Sequence, residues 1–157
     1  MLKILDARNG KGVFTTSLIK KGSQVLVVKG VLNHFERLLE IDGDILNNSF
    51  RYSLNYYLSP GPKDKAYYVN HSCEPNVKVV KRKKELSLVA TRDIAKGEEI
   101  VFDYSIIIAK DDIWVMKCNC GTSSCRKTIK RYDRMPKKVL NRYLKDKMIP
   151  SFIRKFE

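Results

Sequence analysis

Val77-Lys78-Val79-Val80, Lys81-Arg82-Lys83-Lys84 and Glu85-Leu86-Ser87-Leu88-Val89-Ala90 read, in order, as two apolar runs hinged on a basic tip. Runs of this length, rich in Val and Leu and separated by four cations, predict a β-hairpin. The cationic tip itself reads as a solvated turn. Downstream, Lys96-Gly97 marks a turn into a strand from Glu99 to Phe102, and the centre of the chain is therefore β-rich. Upstream, Tyr52, Tyr56, Tyr57, Tyr67 and Tyr68 surround Ser59-Pro60-Gly61-Pro62, a loop between brief aromatic strands. From Leu2 to Val28, short apolar runs punctuated by Gly10, Gly12 and Gly22 predict more strands and tight turns.

Helical signals are few. Leu32, Phe35, Leu38 and Leu39 recur at helical spacing, and Asn33 with Glu36 three residues on resembles a capping box, so one short helix is predicted there. His34 falls in it without polar partners and reads as surface. Near the end, Val139, Leu140, Tyr143, Leu144 and Met148 share one helical face, with Pro136 suited to the first turn and Asp133 to a cap. The fold class is mainly β with a few short helices, in one domain with a C-terminal appendage. A length of 157 residues suits a single core.

Lys and Arg total 31 against 17 Asp and Glu, a net charge of +14. So cationic a chain attracts anionic partners at long range without specifying a fold. No apolar run reaches the roughly 18 residues of a membrane-spanning helix, and the N-terminus lacks the apolar stretch of a secretory signal, so an intracellular protein is expected.

The four cysteines are Cys73, Cys118, Cys120 and Cys125. The last three spell C-x-C-x₄-C, offering three thiolates from one tight loop whose Gly121 lets the backbone curl around an ion. A structural zinc takes four ligands, and Cys73 is the remaining thiol, so a Cys₄ zinc site tying the C-terminal loop to the middle of the chain is predicted. A closed tetrathiolate site is structural, and no catalytic role is assigned to the metal.

Three further motifs stand in order: Gly10-Lys11-Gly12-Val13-Phe14, Asn70-His71-Ser72-Cys73-Glu74-Pro75-Asn76, and Gly97-Glu98-Glu99-Ile100-Val101-Phe102-Asp103-Tyr104. Together with the cysteine loop they resemble a SET domain followed by a post-SET segment, over about Lys3 to Ile129. The resemblance implies a β-clip-like fold with a C-terminal pseudoknot and a protein-lysine methyltransferase that uses S-adenosylmethionine. It implies a SET domain over residues 1–108 and a post-SET zinc segment over 109–130, and leaves the basic C-terminal helix expected over 131–157 outside the resemblance. It also implies that Gly10, Lys11, Gly12 and Val13 contact the methionine part of the donor, that Asn70 and His71 hold its amine and adenine, and that Tyr104 stands beside the transferring methyl. Tyr52 matches a donor-side tyrosine loosely, and Cys73 matches the fourth zinc ligand. The chain shows no cysteine-rich segment before the first motif, which weakens any transfer of substrate identity.

The chemistry asks for an apolar passage, because the attacking lysine must lose a proton from a group whose ordinary pKa is about 10.4. Desolvation favours the neutral amine, and aromatic faces guide the incoming cation. Tyr56, Tyr67 and Phe102 are the expected walls. The rival reading is a non-catalytic, zinc-stabilised basic module that grips nucleic acid; binding alone would leave the Asn70-His71 pair and Tyr104 without a purpose. The expected partner is a protein bearing a target lysine, associated with chromatin or nucleic acid.

Overall fold

The computed structural model describes residues 1–38, 43 and 47–155. Among the described residues twelve short strands dominate. β1 (Leu2–Ala7) and β2 (Gly10–Thr15) form a hairpin whose register runs from Leu2 opposite Thr15 to Ala7 opposite Gly10. Gly10 sits at φ +89°, a left-handed conformation that suits glycine at this reversal. β10 (Glu99–Phe102) pairs with β2 on one side and, in parallel, with β7 (Asn70–His71) on the other, making the sheet β1-β2-β10-β7.

The predicted central hairpin is β8 (Val77–Arg82) with β9 (Glu85–Ala90), and β3 (Gln24–Val27) pairs with the far edge of β9. The turn is tighter than the sequence suggested. Only Lys83 and Lys84 lie outside the strands, while Lys81 lies in β8, its ammonium 3.6 Å from the Tyr52 ring centroid and 2.6 Å from the Tyr52 carbonyl oxygen. The four-cation run is thus not a uniform solvated tip. One of its members lays its stem on aromatic surface, and burial lowers its pKa.

The third sheet orders β4 (Val31–His34), β6 (Tyr56–Ser59) and β5 (Phe50–Arg51). Here the predicted helix over Leu32 to Leu39 needs correction. Val31 to His34 pair with Ser59 to Tyr56, and the Asn33 amide donates to Ser59 Oγ at 3.0 Å instead of capping a helix. Cross-strand pairing outweighs local helical spacing, so α1 begins only at Phe35 (Phe35–Leu38); Leu39 lies outside the described residues. His34 is half-exposed, with its ring edge-on to Tyr56. Tyr67 and Tyr68 belong to a 3-10 turn, Lys65–Tyr68, capped by Asp64, and not to a strand.

The main core collects Val13, Val77, Leu86, Leu88, Ile94, Ile100 and Ile106, all with no exposed surface. Residues beyond 130 join it. α2 (Lys137–Lys145) and α3 (Ser151–Arg154) follow prolines 136 and 150, and Tyr143, Met148, Ile149 and Ile153 are buried in the same cluster. Asp133 does not cap α2: it lies in a 3-10 turn and pairs with Arg131 at 2.9 Å. A second, smaller cluster joins Cys73, Ile108, Cys118 and Ile129, closed by the two-residue strands β11 (Met116–Lys117) and β12 (Thr128–Ile129).

Among the described residues no helix is long and apolar enough to cross a membrane.

Candidate functional site

The parallel pairing of β7 with β10 sets Val101 beside Asn70 and Phe102 beside His71, so two motifs thirty residues apart become neighbours. Asn70 extends the connection to the third motif. Its side-chain amide donates to the Lys11 carbonyl at 2.9 Å and to Glu99 Oε1 at 2.7 Å, linking β2, β7 and β10 through one group. Gly12 is required where these meet: an added Cβ would press on the Glu99 carboxylate and lie 2.8 Å from Ala7 Cβ. Gly12→Ala should therefore cost about 1–3 kcal/mol of stability, as overpacking does elsewhere. Thermal unfolding checks this, and an unchanged melting temperature would show that the strands yield freely. Val13 beside it is fully buried.

His71 is 6% exposed. Burial pushes its pKa down to about 4, against the upward pull of Asp103 and with a further lowering by Arg126, so the imidazole is neutral near pH 7. Nδ1 accepts the Tyr104 amide proton at 3.1 Å, which leaves the ring proton on Nε2, 3.4 Å from Cys73 Sγ.

Tyr104 opens a 3-10 turn, Tyr104–Ile107, capped by the Asp103 carboxylate. Its hydroxyl donates to the Val69 carbonyl at 2.9 Å, and its ring packs against Phe102 at 4.8 Å and His71 at 5.3 Å. Burial, with Glu99 nearby, raises its pKa, so it stays a protonated donor. A cavity of about 310 Å³ opens on the Tyr104 ring, and its aromatic lining is Phe35, Tyr57 and Trp114. A much narrower recess of about 20 Å³ on the Val69 and Phe102 side also ends on Tyr104. A third cavity, polar and of about 220 Å³, is lined by Arg8, Asn70, His71, Glu99 and Cys120.

The expected residues distribute unevenly over these spaces. Asn70, His71, Phe102 and Tyr104 come together, with Lys11, Gly12 and Val13 one strand away. Of the expected channel walls, Phe102 touches Tyr104, whereas Tyr56 packs on His34 and Tyr67 on Tyr68. Tyr52 is engaged on the central hairpin, its hydroxyl on the Lys84 carbonyl and its ring under Lys81.

Sequence reasoning missed two polar anchors. Asp103 has no exposed surface and accepts from Arg126 at 2.7 Å and from the Tyr143 hydroxyl at 2.9 Å. Burial alone would lower the Arg126 pKa, and the Asp103 bond more than reverses that. Arg51, its side chain 2% exposed, binds Asp111 at 2.7 Å and Asp112 at 2.9 Å, and Asp112 accepts from the Tyr57 hydroxyl at 2.6 Å. Asp103 stood inside a quoted motif and Arg126 directly after Cys125, but nothing local announced that they would meet.

The cysteines converge. His71, Cys73, Cys118 and Cys120 offer ligand atoms all within 4.8 Å of one another, and Cys125 Sγ lies 3.6 Å from Cys118 Sγ. Four sulfurs about 2.3 Å from a tetrahedral zinc stand about 3.8 Å apart, and the Cys73 and Cys118 sulfurs are 3.8 Å apart. Burial raises the thiol pKa of Cys73 to about 11 and raises that of Cys118, so both stay protonated at neutral pH without a cation, and a metal ion bound there would displace their protons. His71 faces the cluster with a ring proton, as a hydrogen-bond donor to Cys73 sulfur and not as a fifth ligand. The residues present fit a structural metal ion.

Comparison with known proteins adds a family. The sequence model of the SET domain matches residues 10–105, well over half the chain. Histone-lysine N-methyltransferase 2D of Homo sapiens is 42% identical over 74 residues, covering 45% of this chain and 1% of its own length. Histone-lysine N-methyltransferase SUV39H1 of Xenopus laevis is 30% identical over 156 residues, covering 75% of this chain and 37% of its own. Histone-lysine N-methyltransferase set9 of Aspergillus terreus is 30% identical over 120 residues, 71% of this chain and 18% of its own. The chain therefore spans well under half the length of each of these relatives.

Proposed function

Because the chain belongs to the SET-domain family, we propose that it is a protein-lysine N-methyltransferase that takes its methyl group from S-adenosylmethionine. The donor supplies an electrophilic methyl on a sulfonium. Residues 1–108 carry the reaction and supply Cys73, which binds a structural zinc together with Cys118, Cys120 and Cys125 of the segment 109–130, and α2 braces the site from behind through Tyr143 on Asp103. The polar cavity suits a zwitterionic donor, since Arg8 and Glu99 present both signs of charge beside Asn70 and the Gly10–Val13 strand. The substrate is a histone-type basic protein, as the names of the relatives suggest.

One observation carries this reading: Tyr104 forms a wall shared by an apolar cavity and a narrow recess, one strand from the Asn70-Lys11 bond. Phe35, Tyr57 and Trp114 would desolvate an approaching ammonium and favour the neutral amine, while Asp111 and Asp112, which line the same cavity ion-paired to Arg51, attract the incoming cation and pull its pKa the other way. The Tyr104 hydroxyl, fixed on the Val69 carbonyl, keeps its oxygen lone pairs for weak contacts to polarised C–H groups and holds the amine in line. The aromatic walls exclude water from competing for the methyl.

Labelled-methyl transfer to histone substrates, with Tyr104→Phe beside the wild type, tests the proposal. The variant should lose on the order of 100-fold in rate, because misplacement by an ångström has that consequence, while calorimetry still detects the donor binding. A wild-type protein that neither binds the donor nor transfers methyl would end the reading in favour of a binding module.

A further inference from the structure

A groove of about 940 Å³, the largest concavity among those described, runs between β8, β9 and α2, away from Tyr104. Five cations line it: Lys21, Lys78, Arg82, Arg92 and Arg142. Its two carboxylates are Glu74 and Asp146. Several of these charges are already engaged. Arg92 binds Glu98 through two bonds, Lys78 donates to the carbonyls of Asp146 and Lys147 at the end of α2, and Glu74 accepts from Ser123 and Ser124. Lys21, Arg82 and Arg142 are exposed, and no ion pair among the described residues involves them. Arg142 instead helps lower the pKa of Glu74, behind the bonds from Ser124 and Ser123. Lys83 and Lys84 at the hairpin tip and Lys138 and Lys145 on α2 extend the positive field beyond the groove mouth.

We infer that this groove binds the phosphate backbone of duplex nucleic acid, holding the enzyme beside a nucleic-acid-bound substrate. A channel rimmed with unpaired cations concentrates positive potential and exchanges condensed counterions for Lys and Arg. Single strands are disfavoured because they bind through exposed aromatic faces. The only aromatic residue in the lining is Tyr143, which is 2% exposed with its hydroxyl committed to Asp103. A flat anionic bilayer does not reach into a concave groove, and the apolar residues of the lining, Pro75, Val80, Val89, Ala90 and Met148, are buried or half-buried there and do not project for insertion. The net charge of +14 supplies the long-range attraction, and the groove gives it a place.

The test is fluorescence anisotropy of the metal-loaded wild-type protein with a labelled 20-base-pair duplex across a range of salt. Lys21→Gln/Arg82→Gln/Arg142→Gln should flatten the slope of log affinity against log salt by about 2.7, at roughly 0.9 for each lost phosphate contact. It should weaken binding tenfold or more at moderate salt while leaving the circular dichroism unchanged. Tyr104→Phe should bind the duplex as the wild type does, which separates this inference from the methyltransferase reading. A control that removes the same charge from other faces, Lys29→Gln/Lys63→Gln/Lys65→Gln, should change the slope by less than one. Equal losses in the two triple variants would overturn the assignment, leaving only diffuse charge. So would a groove variant that loses a poly-glutamate peptide but keeps the duplex, which would make the partner an acidic protein.

Discussion

Asp103→Asn is expected to destabilise the protein by roughly 3–5 kcal/mol, the range seen when one partner of a buried ion pair is removed. Asp103 has no exposed surface, and the Arg126 side chain that binds it is 9% exposed. The same carboxylate takes the Tyr143 hydroxyl and the Ser105 amide and lies 3.6 Å from His71 Nδ1. An amide in its place keeps the shape and some of the acceptors but strands a guanidinium in the interior, where hydration no longer offsets its charge. Asp103→Asn/Arg126→Met should regain a large part of the loss, because the uncompensated cation is gone. Urea midpoints at constant slope measure both variants. A single variant within about 1 kcal/mol of the wild type would mean that water reaches Arg126 after all.

Metal removal should have the larger structural effect. β11 and β12 contribute two residues each, far too few to persist as a free hairpin, and the loop between Cys118 and Cys125 has no regular structure. Zinc in small thiolate sites contributes about 10–16 kcal/mol of apparent binding free energy, and here that energy would hold the second core cluster of Cys73, Ile108, Cys118 and Ile129 together. Chelation is expected to release one metal ion per chain, expose residues 116–129 to protease and shift the emission of Trp114, the single tryptophan, which packs on that cluster. In the cobalt-substituted protein, His71→Gln should keep the thiolate charge-transfer bands and Cys118→Ser should weaken them. Unchanged emission and protease pattern after chelation would show that the hydrophobic cluster suffices.

Much of this molecule is legible in its text because local chemistry and final position agree. The Val77–Ala90 hairpin, the Lys96-Gly97 turn and the clustering of four cysteines rest on alternation, glycine and ligand spacing, and each survives folding. Failures came where a distant partner outweighed local preference. Leu32 and Asn33 carry helical spacing, but β6 claims them as a strand; Lys81 belongs to a basic run, but Tyr52 lies beneath it. Tyr57 and Tyr56 are adjacent in sequence and point to opposite faces of β6. That alternation decides that Tyr57, and not Tyr56, meets Asp112 and the Tyr104 cavity. Asp103 was quoted as part of a motif, yet its partners lie 23 and 40 residues downstream, a pairing that only packing reveals.

The bond from Tyr143 to Asp103 also ties the end of the chain to its middle. The donor lies on α2 and the acceptor sits next to Tyr104 in sequence, 40 residues earlier, so undocking of α2 would leave a buried carboxylate short of one partner at the residue that caps the Tyr104 turn.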